Sequence, residues 1–505
     1  NLKLLHLKLL FLIFLSHELL LKILSILFTK QSTNFLQDFI AIYFYLTTRY
    51  QDIGDPTCKC PFCHAILWYE ERAKKSEKPK NPLFSLCCER GKVQLLLLRP
   101  PPPPLRNLLT CQDQRSHKFL DNIRAYNSIF SFTSIGGQVD KSINNGNAPY
   151  VFKLKGANYH KIGSLLPVSG AAPKFSQLYI YDTENEVDNR INAMSSRSRS
   201  NQCNLDAEVI YDIMRMLDGH NPLVKSFRFV RDHFKSGCSD NLKLRLIGGR
   251  ETDGRVYNLP TVHEVAALIV GDFDESFQRR DIIIETHSGK LKRIDELHPS
   301  YLPLQYPLLF PYGEDGFRVG ISHSEASIIN AKKRDKVTQR EFFAFRIQER
   351  DNEWNSLLYG RRLFQQFLVD GYTMVEFSRL NYIRFNQPSL RSEKFNKLQD
   401  AISRGETDSS SVGQRIFMPK SFTGGDRYMS QNYHDAMALC KWFGYPDLFI
   451  TMTCNPKWPE ITRFLTVRGL RPEDRPDIVC RVFKIKLDQL IKDIKDNEIF
   501  GKTRA

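Results

Sequence analysis

Apolar side chains recur at helical spacing in several stretches of the chain. Residues three and four apart share one face of a helix, so this spacing predicts amphipathic helices. Residues 205–236 predict two helices, whose apolar face holds Ile210, Ile213, Met214 and Leu217. The other predicted helices cover Arg340–Arg350, Trp354–Phe385, Arg427–Phe443 and Pro476–Phe500.

Shorter apolar runs predict strands and turns. Residues 117–190 mix such runs with Gly and Pro, and residues 244–287 contain LRLIGG, EVAALIVGD and DIIIET. The run from Asp447 to Cys454 alternates between two uncharged faces, which predicts a buried central strand. Together the helices and strands predict an α+β fold, with a mixed α/β middle region and a helix-rich C-terminal region.

The first 46 residues are strongly apolar, but Lys8, His17, Glu18 and Lys22 interrupt them. No uninterrupted run reaches the roughly 18 apolar residues of a transmembrane helix. Leu9–Leu15 has the apolar character of a signal peptide, yet no small-residue cleavage site follows closely. We expect a buried helix or translated sequence upstream of the true start, with a secretory or membrane role as the alternative. Because Asn1 stands where Met is usual, we also expect a fragment or an incomplete gene product.

A five-proline run, Pro100–Pro104, predicts a stiff polyproline II spacer. A chain of 505 residues corresponds to roughly three domains of about 150 residues. The predicted organisation is an apolar leader outside the fold (1–50), a zinc-knuckle-like module (51–98), a proline-rich linker (99–116), a mixed α/β region (117–300) and a helix-rich region (301–505).

The composition is that of a globular protein, with 42% hydrophobic and 25% charged residues. This excludes collagen, wholesale disorder and a polytopic membrane protein. Lys and Arg outnumber Asp and Glu by 72 to 56, which gives a net charge of +16. That excess favours an anionic partner, and nucleic acid is the commonest one.

Five of the eleven cysteines lie between Cys58 and Cys88, a clustering typical of a metal site in a reducing compartment. Cys60-Pro61-Phe62-Cys63 has the spacing of a zinc knuckle, and Cys87-Cys88 offers a second pair. We therefore predict a structural Zn²⁺ on Cys60, Cys63, Cys87 and Cys88. Adjacent cysteines are an unusual pair, so Cys58 or His64 is the alternative fourth ligand. Free thiols in an apolar subdomain are the competing interpretation.

The last residues do not predict a nucleotide site. Gly501-Lys502-Thr503 is similar to the end of a phosphate loop, but Asp496 stands where the loop needs its first glycine.

Several motifs resemble the N-terminal region of plant Helitron transposases, the rolling-circle initiator–helicase proteins. FITMTCNPKWPEI (449–461) resembles the first Rep motif of that family, with Phe449, Thr451, Thr453, Asn455, Pro456 and Trp458 in the strand and turn. Similar segments include QYPLLFPYGEDGF (305–317), GDPTCKCPFCHAILWYEER (54–72) and FSLCCERGKV (84–93). The resemblance covers roughly residues 50–505, and residues 301–505 are similar to an incomplete Helitron helicase-like domain.

The resemblance implies cleavage of single-stranded DNA by a metal-binding His-hydrophobe-His pair and a tyrosine nucleophile, followed by an ATP-dependent helicase. This chain contains no His-x-His, and no two of its tyrosines are spaced by four. We therefore predict a non-catalytic fragment whose catalytic residues and catalytic metal are missing. The resemblance implies that this fragment binds DNA and lies in the nucleus. The alternatives are a decayed transposon product, and a nickase that uses unrecognised acids such as Asp435, Asp447 or Glu460.

The partner that the resemblance implies is DNA, in single-stranded form. Candidate phosphate contacts on the long predicted helix are Arg361, Arg362, Arg379 and Arg384, with a solvated helix face as the alternative. Tyr445 and Trp458 are candidates for stacking on bases, with core packing as the alternative. Neither the DNA sequence recognised nor the oligomeric state follows from the sequence.

Overall fold

The structure is a computed structural model. It describes residues 52–140, 142–144, 151–155, 158–195, 205–237, 242–270, 281–287, 291–324, 334–387, 418–446 and 450–501. These residues divide into two units. The larger unit holds the residues up to Gly371 together with Pro456–Val479, and the smaller unit holds Tyr372–Asn455 and the residues from Cys480 onward.

The strands that the structure describes are short and lie in the larger unit. They are β1 Cys58–Lys59, β2 Ile66–Leu67, β3 Ser134–Ile135, β4 Gln138–Val139, β5 Leu154–Lys155, β6 His160–Ile162, β7 Leu242–Leu246, β8 Ala266–Val270, β9 Ile282–Glu285 and β10 Lys292–Arg293. They form four small antiparallel sheets, in the orders β1-β2, β10-β6-β3, β4-β5 and β8-β7-β9.

Helices dominate the rest of the described chain. They are α1 Pro103–Thr110, α2 Gln114–Asp121, α3 Ile123–Phe130, α4 Glu186–Ser195, α5 Ala207–His220, α6 Pro222–Lys235, α7 Val262–Val265, α8 Tyr301–Gln305, α9 Gln339–Arg346, α10 Ser356–Tyr359, α11 Arg362–Phe385, α12 Asp426–Phe443, α13 Pro459–Thr466 and α14 Pro476–Lys495. Helices with several small sheets confirm the predicted α+β class.

The helix pair and the three strands predicted between residues 205 and 287 are confirmed. The Asp206 carboxylate accepts the Glu208 N–H at 2.9 Å at the start of α5, and the Asn221 side chain accepts the Leu223 N–H at 2.9 Å at the start of α6. In the sheet, Leu244 of β7 lies between Leu268 and Ile284. The two side chains cap their helices, and Ile210, Ile213 and Leu217 of the predicted apolar face are buried.

The strands and turns predicted for residues 117–190 are wrong at both ends of that range. Helices α2 and α3 form at its start, and a 3-10 helix, Phe175–Tyr179, and the first turns of α4 form at its end. Phe119 and Leu120 of α2 and Ile123 and Tyr126 of α3 are all buried. Runs this short fit either period, and here packing favours the helix.

The proline run also differs from the prediction. Pro102 is extended, with φ −57° and ψ 154°, but Pro103 and Pro104 form the first turn of α1. The proline ring fixes φ near the helical value, and the first turn has no use for the missing N–H. The predicted polyproline spacer is therefore cut short by a helix.

A buried polar network joins β6 to α11 within the larger unit. His160 is fully buried and shares a 2.6 Å hydrogen bond with Asp370, which also accepts the Tyr306 hydroxyl at 3.0 Å. The His160 ring stacks on Tyr301 at 3.8 Å between centroids. Satisfied networks of this kind fix the arrangement of the elements that carry them.

Helix α12, in the smaller unit, forms as predicted but buries none of its residues. Its exposed large apolar side chains are Met429, Tyr433, Met437, Leu439, Trp442 and Phe443.

No helix in the described part of the chain is both long and apolar enough to cross a membrane. The apolar residues 1–46, on which the secretory alternative depends, lie outside the described residues.

Candidate metal centre and nucleic-acid surface

Four cysteines from two turns of the chain converge in the larger unit. The Sγ atoms of Cys60, Cys63, Cys87 and Cys88 all lie within 4.8 Å of one another. Cys60, Cys87 and Cys88 are buried, and Cys63 is half-buried. The structure thus brings together the four predicted ligands, including both members of the adjacent pair, in a group that could hold a metal ion.

The first turn is the loop of the β1–β2 hairpin. The Cys60 N–H donates to the Ala65 carbonyl at 2.9 Å, and the His64 N–H donates to the Cys60 carbonyl at 3.0 Å. His64 adopts a left-handed conformation, with φ 59°, which reverses the chain. The loop is tight enough that Cys60 and Cys63 point to the same side.

The second turn depends on a glycine that the sequence reasoning missed. Gly91 has φ +85°, and its N–H donates to the Cys88 sulfur at 3.2 Å. A Cβ atom at this position would lie only 2.7 Å from Cδ1 of Phe62, so the two turns stack closely because residue 91 has no side chain. A glycine three positions after a ligand cysteine was the available signal.

The sulfur separations fit a tetrahedral metal site. The Cys60 and Cys88 sulfurs are 3.7 Å apart, and the Cys87 and Cys88 sulfurs are 3.8 Å apart. Four sulfurs at about 2.3 Å from a tetrahedral Zn²⁺ are separated by about 3.8 Å, whereas a disulfide joins its sulfurs at about 2.0 Å. The donor set therefore fits a Zn²⁺ ion better than a pair of disulfides.

The crowded thiols also shift one another's acidity. Hydrogen bonds from Cys63, Cys87 and Cys88 hold the pKa of Cys60 well below its usual value. The hydrogen bonds to Cys60 and then to Cys63 raise the pKa of Cys87 in turn. The cluster therefore favours a thiolate at Cys60, the form that binds a metal.

The two substitute ligands stand outside this group. Cys58 lies on β1, and burial is the main cause that raises the pKa of its thiol. His64 is exposed on the hairpin loop. Neither is needed to complete a four-sulfur site.

The cysteine turns are joined to a segment far along the chain. The Ile66 N–H donates to the Glu349 carbonyl at 2.9 Å, and Nε of Arg350 donates to the Cys63 carbonyl at 2.9 Å. Arg350 is itself buried, and its ion pair with Glu353 measures 2.8 Å. The candidate metal centre is therefore part of the larger unit.

The strand predicted around the first Rep motif is not formed in its described part. Thr451, Thr453 and Asn455 are exposed and lie outside any helix or strand, and Phe449 lies outside the described residues. A strand needs a ladder partner, and no described strand pairs with this segment. Pro456 and Trp458, further along, are both half-buried. Trp458 immediately precedes α13, and its backbone carbonyl accepts the Ile461 N–H at 3.0 Å.

The four candidate arginines differ in accessibility. Arg361 is only 8% exposed and has φ 44° at the turn before α11. Arg362 and Arg379 are half-buried, and Arg379 lies over the Phe422 ring at 5.5 Å. Arg384 is exposed near the end of α11. Only Arg384 presents an open guanidinium group, and Arg361 is too enclosed to meet a DNA backbone.

The candidate acids show structural contacts. Glu460 is fully buried and accepts the Ile53 N–H at 3.0 Å. Asp435 accepts from the Gln431 amide on the same helix at 2.7 Å. Asp447 lies outside the described residues.

Comparison with known families gives a match in the second half of the chain. Residues 342–505 match the family described as "Helitron helicase-like domain at N-terminus". That region is similar to the Helitron helicase-like domain. The match confirms the predicted resemblance over about a third of the 505 residues. No curated protein matches the chain. The matched region includes Glu349 and Arg350, which bond to the first cysteine turn. The cysteines themselves lie upstream of residue 342, where the likeness stays a prediction.

Proposed function

We propose that this chain is a DNA-binding, non-catalytic part of a rolling-circle transposase of the plant Helitron kind, held together by a structural zinc ion. The match of residues 342–505 to the Helitron helicase-like domain carries the proposal. The net charge of +16 supports a polyanionic partner. Localisation in the nucleus, where such a protein would meet its DNA, belongs to the same proposal.

The exposed end of α11 supports contact with single-stranded DNA. Tyr382 and Phe385 are 63% and 75% exposed and lie three residues apart, on one helical face. Arg384 lies between them in sequence and is also exposed. Exposed aromatic rings stack on unpaired bases, and a neighbouring guanidinium group binds the phosphate backbone. Trp442 and Tyr445, 83% and 92% exposed, offer further stacking surfaces.

The proposed zinc ion is structural. Four cysteine ligands fill a tetrahedral site, which leaves no open position for water or a substrate. When bound, the ion would tie the two cysteine turns together, and residues Cys60, Cys63, Cys87 and Cys88 would hold it.

The absence of a His-x-His pair from the sequence supports binding without cleavage. The tyrosine pair that the family resemblance implies is absent as well. The carboxylate of Glu460, one of the alternative acids, already accepts a hydrogen bond from the backbone N–H of Ile53. A decayed transposon product would show the same biochemistry and differ only in its role in the cell.

A salt titration of binding to a labelled oligo(dT) strand tests the proposal. Affinity is expected to fall steeply between about 50 and 200 mM salt, because phosphate contacts release counterions. Arg384→Gln should reduce the slope of log affinity against log salt by about 0.7, the value for one contact to a single strand. Arg106→Gln is the matched control, since it removes one exposed charge from α1. A flat salt response, or equal slopes for both variants, would contradict the proposed surface.

The same oligonucleotides, incubated with Mg²⁺ or Mn²⁺, test the absence of cleavage. We expect binding without nicked product and without a covalent DNA–protein adduct. An adduct on denaturing gels would show that an unrecognised nucleophile is present and would overturn the non-catalytic proposal.

A further inference from the structure

A polar cleft of about 300 Å³ lies in the larger unit, and none of the four clustered cysteines lines it. Two loops line it, residues 250–254 after β7 and residues 318–322. This volume is well above the roughly 10–15 Å³ that a cavity needs to hold one water molecule. The cleft therefore has room for a small hydrated anion.

Besides Arg250, the lining of this cleft contains a second buried cation, Arg318. Its side chain is 7% exposed, and Nη2 donates to the Thr252 carbonyl at 2.6 Å. The nearby carboxylates are engaged elsewhere: Asp315 with Arg250 at 3.1 Å, and Asp253 with Arg255 at 2.7 Å. Among the described residues, no carboxylate forms an ion pair with Arg318.

Burial lowers the pKa of the Arg318 guanidinium below the usual value, and the charge of Arg250 acts in the same direction. The charges of Asp315, Asp253 and Glu264 act in the opposite direction, although none of these carboxylates forms an ion pair with Arg318. A buried charge is stabilised only when a partner neutralises it and accepts its hydrogen bonds. The guanidinium group has further N–H donors that an anion in the cleft can use.

Two more features of the cleft suit an oxyanion. The Thr252 hydroxyl oxygen is buried and has no hydrogen-bond partner within the described residues. A Cβ atom on Gly254 would lie 3.0 Å from Nε of Arg318, so the bare backbone lets the guanidinium group lie close to the loop. Glu251, the remaining acid of the lining, is exposed, and solvent screens its charge.

We propose that this cleft is a phosphate-binding site, in which the Arg318 guanidinium and the Thr252 hydroxyl donate to the phosphate oxygens. The planar fork of an arginine matches the geometry of a phosphate group. The site does not depend on the DNA-binding proposal, because inorganic phosphate alone tests it. The phosphate source is either a nucleic-acid backbone or a free phosphate compound.

Thermal unfolding of the full chain with increasing inorganic phosphate, at constant ionic strength balanced with chloride, measures the affinity. The midpoint should rise with a saturable dependence on phosphate. Arg318→Lys should weaken the affinity at least tenfold, about the loss of one charge-assisted hydrogen bond. Thr252→Val should weaken it by about threefold to tenfold while keeping the shape of the side chain.

Arg115→Gln is the matched control. Arg115 lines a different cleft, but its guanidinium is already paired with Asp212 at 2.7 Å. This variant should bind phosphate like the unchanged chain. A midpoint that does not respond to phosphate, or that responds equally in Thr252→Val and the unchanged chain, overturns the proposal. Thr252→Val keeps the test decisive if Arg318→Lys fails to fold.

A second measurement distinguishes the two phosphate sources. If the nucleic-acid backbone is the ligand, oligo(dT) should compete with inorganic phosphate, and Thr252→Val should weaken the binding of both about equally. If a free phosphate compound is the ligand, the variant should lose phosphate affinity and keep its affinity for oligo(dT). Failure of oligo(dT) binding with phosphate binding intact would count against the DNA proposal alone.

Discussion

Glu314 is an acid enclosed by the fold. Its side chain is 1% exposed, and the backbone N–H of Tyr312 donates to its carboxylate at 3.1 Å. Burial raises the pKa of Glu314 to about 7, although backbone hydrogen bonds and the charge of Arg346 partly oppose it. The native state therefore holds this proton more tightly than the unfolded chain, where the pKa is close to 4.5.

We predict that replacing Glu314 by Gln flattens the dependence of stability on pH. The contribution of a raised pKa is full below about pH 4.5 and is lost as the pH rises through 7. Relative to Glu314→Gln, the unchanged chain should lose about 2–3 kcal/mol of unfolding free energy between pH 5 and 8. Urea unfolding of both proteins across this range measures the difference. Parallel pH profiles would show that Glu314 is already ionised in the fold.

A second prediction concerns Gly91. Gly91→Ala adds a Cβ atom against the Phe62 ring in a left-handed conformation, and it should both destabilise the fold and weaken zinc binding. Gly54→Ala is the control, because Gly54 also has a positive φ but open space around it. We expect Gly91→Ala to cost at least about 1 kcal/mol more than Gly54→Ala in urea unfolding. Equal losses of unfolding free energy in the two variants would mean that the two cysteine turns can move apart to admit the extra methyl group.

The cysteine ligands were predictable from the sequence, because their spacing specifies the chemistry. The buried network of His160 and Asp370 was not, since these residues are 210 positions apart and nothing local links them. The Arg318 cleft was not predictable either, because its two loops come together only in the folded chain. Residues that act through local spacing are visible in a sequence, and residues that act through long-range packing are not.

At the scale of elements, periodicity succeeded where it extended over several turns. Helices α5, α6 and α12 form where the pattern predicts them, because each offers a long run of helical spacing. The short runs before residue 130 became helices α2 and α3, since a few apolar residues fit either period. The strand expected at Asp447–Cys454 is not formed in its described part, because a strand depends on a partner strand elsewhere in the chain.

The exposed Trp442 of α12 allows stacking on DNA bases to be distinguished from packing within the fold. Trp442 is 83% exposed, so Trp442→Ala should change the unfolding free energy by less than about 0.5 kcal/mol. If the ring stacks on DNA bases, the same change should weaken oligo(dT) binding by about 1–3 kcal/mol. Phe364→Ala in the core should cost about 3–5 kcal/mol of stability. A large stability loss for Trp442→Ala would show that the ring is buried in solution and would refute the stacking role.

At the scale of the molecule, the cysteine turns and the segment around Arg350 form one structure. We predict that Cys63→Ser abolishes stoichiometric zinc binding and lowers the unfolding free energy by about 4 kcal/mol or more, since metal binding and folding are coupled. Hydrogen exchange at the Ile66 amide, which is bonded to Glu349, should accelerate. Cys111→Ser, at an exposed cysteine, is the control. Exchange at Ile66 that is unchanged in Cys63→Ser would separate the metal site from this contact.

The contacts that join the cysteine turns to Glu349 and Arg350 can form only late in synthesis. The ribosome makes Cys88 262 residues before Arg350, an interval of roughly 13–50 s at about 5–20 residues per second. During that time the Ile66 N–H has no Glu349 carbonyl to bond, and the thiols are not yet buried as they are in the finished fold. A zinc ion captured early would hold the two turns in their final geometry and protect the thiols from oxidation until the rest of the larger unit arrives. Zinc supply during translation is therefore expected to govern the yield of folded protein.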